Sequence, residues 1–258
     1  MKNIFVSIVF LLVLVMGTGY ANAGMYLVYD PGGTGGQNHV TDAMNIIGLT
    51  YDLRNAVNPV TDADIASHAA LIVGFSLDGN YSGLATANLA ADITGNKLAS
   101  GHDADFHTWV GNASATTLFD RYVLFAGGSA GNPGILAFPA WGSAYTANPF
   151  GYLPAAWGIT STGNLAEETI TSITADGVAS GLYSGLTTAT LSDWGNSYHA
   201  IFTAWDGLTP FEMGSYLDGS VVTIGTTVTP ISVPEPSTML LIGSGLIGLA
   251  AFRRKSKQ

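Results

Sequence analysis

Apolar residues along the chain gather in short runs separated by Gly, Asp, Asn and Ser, and the spacing of those runs predicts the elements. Met25-Tyr26-Leu27-Val28-Tyr29 is an apolar run of strand length, too short for a helix and suited to burial on both faces. A glycine-rich loop follows, and residues 39–49 carry helical spacing. Tyr51-Asp52-Leu53 predicts a short strand, NPVTDAD (58–64) a polar turn, and AALIVGF (69–75) a fully buried strand. Residues 83–93 predict a helix, 97–100 a strand closed by Gly101, and 116–126 a further helix. Strands alternating with helices predict an α/β fold with a mostly parallel sheet flanked by helices. Beyond Gly151 the pattern changes: 168–174, 199–205 and 220–228 predict strands joined by long polar connections, an extra β portion in the C-terminal third. Between the two parts lies GNPGILAFPAWGSAYTANPFGYL (131–153), whose three prolines in an apolar, aromatic setting read as an insertion or lid over the sheet.

The two ends carry a different signal. Lys2, an apolar run over 4–16 and the small residues Ala21-Asn22-Ala23 form the three parts of a secretory signal peptide, with a cut before Gly24. At the other end, 238–252 is apolar or small and is followed by Arg253, Arg254, Lys255 and Lys257. A helix of that length rises about 22 Å, at 1.5 Å per residue. The hydrocarbon core is about 30 Å thick, so the span needs Val233-Pro234 upstream or snorkelling arginines to complete it. Cations after the run hold that end on the cytoplasmic side. The order Val233-Pro234-Glu235-Pro236-Ser237-Thr238, Gly-spaced apolar helix, Arg-rich end resembles the PEP-CTERM sorting signal of Gram-negative bacteria. That resemblance implies an exosortase-type membrane protease as partner and cleavage near Pro234-Glu235-Pro236. It also implies transient anchoring in the inner membrane, then release to the cell surface, in an exopolysaccharide or biofilm setting. The chain thus divides into a signal peptide (1–23), a globular body (24–230) and a sorting tail with a transmembrane helix (231–258).

Charge narrows the partners of the body. Seventeen of the 18 acidic residues lie in it, all but Glu235, against three basic ones, Arg54, Lys97 and Arg121. So few cations rule against nucleic acid, whose binding depends on Lys and Arg neutralising phosphates. There is no cysteine, hence no disulfide and no thiol nucleophile.

The AALIVGF strand, the GNKLASGHDAD strand and turn (95–105), ADGVASGL (175–182) and the histidine-bearing NSYHAIF (196–202) resemble the class I glutamine amidotransferase-like, flavodoxin-like layout, including trehalose-utilisation-type relatives. The resemblance implies a nucleophile elbow in the turn after 97–100. The amidotransferase cysteine position falls near His102 or Asp103, neither of which forms a thioester, so cysteine-dependent amidotransferase chemistry is excluded.

Candidate chemistry concentrates in Gly101-His102-Asp103-Ala104-Asp105-Phe106-His107. Two imidazoles and two carboxylates at the end of a predicted strand suit a divalent metal, and His199 supplies a third nitrogen or a general base. Catalytic candidates are His102, Asp103 and His199; metal candidates are these with Asp105 and His107. Asp-Ala-Asp after Gly is equally ordinary cap chemistry that leaves its histidines exposed. The Asp30–His39 loop is glycine-rich but lacks the Gly-Lys-Ser/Thr ending of a phosphate loop. Ser129 and Ser143 sit outside Gly-x-Ser-x-Gly, and Trp109, Trp141, Trp157, Trp194 and Trp205 offer stacking surfaces for sugars or fill the core. Three readings remain: a non-enzymatic surface or matrix domain binding polysaccharide or a cation, an anchor domain whose only role is display and which has no pocket, and a hydrolase of extracellular polysaccharide or peptide. The hydrolase requires the five candidates to converge in one cleft; the scaffold leaves them scattered and solvated.

Overall fold

The computed structural model describes residues 25–32, 39–77, 79–141, 147–163, 169–195, 198–215 and 219–227. The expected signal peptide with its predicted cut at Ala21, Ala23 and Gly24, the tail from Val233 to Arg254, Ser143 and most of the Asp30–His39 loop lie outside these residues. Among the described residues no helix is long and apolar enough to cross a membrane. The chain divides into two units, Met1–Thr227 and Val228–Gln258, and the described residues all belong to the first.

In chain order the elements are β1 (Tyr26–Tyr29), α1 (His39–Ile46), β2 (Tyr51–Arg54), α2 (Asp62–Ser67), β3 (Ala70–Val73), β4 (Ser76–Leu77), α3 (Leu89–Asp92), β5 (Lys97–Ser100), α4 (Ala104–Trp109), α5 (Ala113–Ala126), β6 (Gly134–Ala137), β7 (Ala140–Trp141), β8 (Thr160–Gly163), β9 (Ile170–Ile173), α6 (Ala175–Ser180), α7 (Thr188–Leu191), β10 (Ala200–Ala204), β11 (Thr209–Gly214) and β12 (Ser220–Gly225). Five strands run parallel in the order β2-β1-β3-β6-β5. β12 then pairs antiparallel with β5. Its residues Thr223 to Gly225 pair with both β5 and β11, so those two strands occupy its opposite edges. β10 takes over beside Val221, where β5 has ended, and leads to β8; β11 leads to β9. The result is a mixed α/β fold on a curled ten-stranded sheet.

Two departures from the sequence expectation matter. Taken in chain order, the five parallel strands stand 2-1-3-5-4, whereas the flavodoxin-like order is 2-1-3-4-5. The exchange arises because Gly134-Ile135-Leu136-Ala137, inside the segment read as a lid, forms β6 in the middle of the sheet between β3 and β5. Gly134 permits this, since a Cβ there would strike the Ala126 and Asn96 carbonyls. The helix expected over 83–93 is broken into a 3-10 turn at Ser82–Leu84 and the single turn α3. The Asn88 N–H that a continuous helix would use is donated instead to Asp62 Oδ1 at 2.8 Å. The polar turn before β3 holds a capping box, Thr61 with Asp64, that starts α2.

Strand alternation sorts the core. Leu27, Tyr29, Leu71, Val73, Ala99, Ile135 and Ala137 share one buried cluster with Phe150 and Phe202. α5 packs on β3, β5 and β6 with Leu118, Phe119, Tyr122 and Val123 fully buried. β1 begins, and β12 ends beside Lys97, at the amino edge of the parallel strands. The candidate chemistry lies at the carboxyl edge, where open α/β sheets bind ligands.

Candidate functional site

The turn after β5 is pinned by its backbone. Gly101 donates to the Val222 carbonyl at 2.7 Å and accepts from the His199 N–H at 2.8 Å, and His102 bridges Tyr198. A Cβ on Gly101 would overlap the Ala200 carbonyl, so glycine is required by this close approach. The turn therefore brings the start of β10, and His199 with it, across to Asp103.

Asp103 stands between two imidazoles. His199 Nε2 lies 3.1 Å from Asp103 Oδ2 and His107 Nε2 lies 3.4 Å from Asp103 Oδ1. Asp103 is 2% exposed and each histidine 8%. Phe75 stacks on the His199 ring at 5.3 Å. The Phe75 N–H, just past β3, donates to Asp105 Oδ2 at 2.8 Å. Asp105 is fully buried, and burial, with Asp103 adding to it, pushes its carboxyl up to about 7. Its Oδ1 has no hydrogen-bond partner.

His102 turns the other way, into the interior. Its Nε2 lies 2.9 Å from Glu212 Oε2, both side chains sealed from solvent. The Thr223 hydroxyl donates to the same oxygen at 2.9 Å and the Tyr183 hydroxyl at 3.3 Å. Ser100 and Tyr122 extend the network through Thr223, and burial pushes the Tyr122 and Tyr183 phenols well up. Glu212 Oε1 has no hydrogen-bond partner.

Four of the five sequence candidates, Asp103, Asp105, His107 and His199, thus lie in one buried group, and His102 anchors the turn beneath them. The alternative of a cap with exposed histidines is corrected: the Asp103 side chain makes no capping bond, and His102, His107 and His199 are all buried. Among the described residues no three His, Asp or Glu side chains are set to hold a metal ion; the Nε2 atoms of His107 and His199 are directed at Asp103. A cavity of about 260 Å³ opens elsewhere, at the amino edge, lined by Ser67, His68, Ser129 and Asn132. Sequence reasoning missed Glu212. Its one signal is a lone carboxylate between Phe211 and Met213 in a strand-length segment.

Residues 232–255 match the PEP-CTERM protein-sorting motif. The tail therefore implies an exported protein processed by an exosortase, a membrane protease, with anchoring before release. No characterised protein and no solved structure matches the chain.

Proposed function

We propose that the chain is a surface or matrix protein whose body associates with extracellular polysaccharide without catalysing a reaction. The sorting motif at 232–255 carries this reading. In the body the candidates converge instead of lying scattered and solvated, which counts towards a hydrolase, but each residue is at most 8% exposed, Asp103 pairs with His107 and His199, and His102 pairs with Glu212, as fits struts between β3, α4 and β10. The test is expression in a polysaccharide-producing Gram-negative host with and without its exosortase. The expected result is a truncated body cofractionating with the polysaccharide only when the protease is present. A body that stays in the soluble fraction after release would refute the polysaccharide association.

A hydrolase of extracellular polysaccharide or peptide is the second reading, favoured by one observation. The His199–Asp103 pair lies where α/β enzymes place theirs, with the carboxylate orienting the imidazole as a general base. Turnover of a defined glycan or peptide, abolished by His199→Ala, would establish it.

A further inference from the structure

We propose that His39, Phe106 and Trp109 form the docking platform for a neutral sugar chain; this rests on the polysaccharide association proposed for the body and gives it a place on the surface. The three rings come from α1 and α4, which pack side by side at the carboxyl edge. The His39 ring lies 4.9 Å from Phe106 and 4.6 Å from Trp109, and Phe106 lies 5.7 Å from Trp109. All three are half-buried. Val110, 53% exposed, extends the apolar surface. Aromatic rings left part-open offer faces to the C–H groups of a sugar ring, which an aliphatic patch cannot match in geometry.

The polar groups around the rings select the ligand. Asp30 and Asp42 stand close enough to His39 to act on its charge, as does Asp103. Burial outweighs them and pushes the imidazole down, so the ring is neutral at neutral pH. Its Nδ1 is buried and has no hydrogen-bond partner, so it does not face a ligand. Asp30 and Asp103 are buried and Asp42 is part-exposed, so the platform offers one carboxylate acceptor and no cation. The three cations of the body are engaged elsewhere: Arg54 pairs with Asp64, Arg121 donates to the Leu182 carbonyl, and Lys97 lies over Trp157. A part-exposed carboxylate beside aromatic rings matches a hydroxyl-rich neutral ring. An anionic ligand such as a uronic acid meets only like charge.

The experiment titrates the full chain in detergent micelles against an array of neutral and uronic-acid oligosaccharides, with cellohexaose and hexagalacturonate as a matched pair. Neutral oligosaccharides should bind and hexagalacturonate should not. Trp109→Ala and Phe106→Ala should each weaken binding by about tenfold or more, the scale of losing one central aromatic contact. Trp157→Ala should leave it unchanged. In the wild-type chain the Trp109 indole N–H resonance should move on saturation, which holds the proposal to account even if a variant fails to fold. Binding lost in Trp157→Ala but kept in Trp109→Ala would overturn the platform and leave the polysaccharide association standing. Preference for hexagalacturonate would overturn the platform's selectivity for neutral sugars. No binding to any oligosaccharide, with a released body that ignores the polysaccharide, would overturn both.

Discussion

Asp105 and Glu212 are carboxylates held where water does not reach, and they differ in what surrounds them. Asp105 is buried and neighbours another carboxylate, and these outweigh the Phe75 N–H it accepts, so its folded-state pKa is raised rather than depressed. From about 4, the ordinary Asp value, up to about 7, the folded protein therefore holds a proton that the unfolded chain has released. Stability falls as pH rises through that window and levels off above it. Asp105→Asn removes the titration, so its urea midpoint should vary less than wild type between pH 4.5 and 7.5. An unchanged slope would mean that Asp105 does not titrate there. Glu212 instead gathers His102, Thr223 and Tyr183 on one oxygen. Glu212→Ala strands those partners in the interior and should cost about 3–5 kcal/mol. Glu212→Gln keeps an acceptor and should cost less, and chemical denaturation of the two variants separates the cases.

Elements were legible in the sequence where apolar runs were continuous, and illegible where a side chain or a distant carbonyl decided the outcome. β1, β3, β5 and α5 follow from MYLVY, AALIVGF, KLAS and the helical spacing before Gly127. β6 did not, because GILA between Pro133 and Pro139 is as short as a loop fragment, and only its neighbours β3 and β5 make it a central strand. The 83–93 helix failed because Asp62, more than twenty residues away, takes the Asn88 N–H. Similarly, GHDADFH declared its residue types but not their directions. That His102 turns inward to Glu212 while Asp103 turns to His199 depends on Gly101 lying against the Ala200 carbonyl. Gly101→Ala should therefore disturb the fold and the His199–Asp103 contact together, read as loss of thermal stability and a shifted His199 ring resonance. By contrast, Asn112→Ala removes the cap of α5, whose Oδ1 accepts from Ser114 and Ala115, and should cost only about 1 kcal/mol with the histidine resonances unmoved.

On the scale of the whole molecule, export and sorting change the charge that the body presents. The expected signal peptide holds Lys2 and the tail holds Arg253, Arg254, Lys255 and Lys257, so removal of both would take away five of the eight basic residues and, of the acidic ones, at most Glu235. The whole chain has a calculated pI of about 4.6, and the released body should focus below it. This links the sorting signal to the surface chemistry. Before the cut, the tail cations would sit on the cytoplasmic side and attract anionic lipid if the tail spans the membrane as its sequence predicts. After it, a body with three engaged cations should repel acidic polymers and hold neutral ones by apolar and hydrogen-bonded contact, which salt screens little. Mass spectrometry and isoelectric focusing of the secreted protein, with a salt series for polysaccharide binding, check these steps together. The expected set is a mass ending near Pro234-Glu235-Pro236, a pI below that of the whole chain, and binding that changes little between low and physiological salt. Binding that collapses with salt would mean that charge, not the sugar face, drives the association.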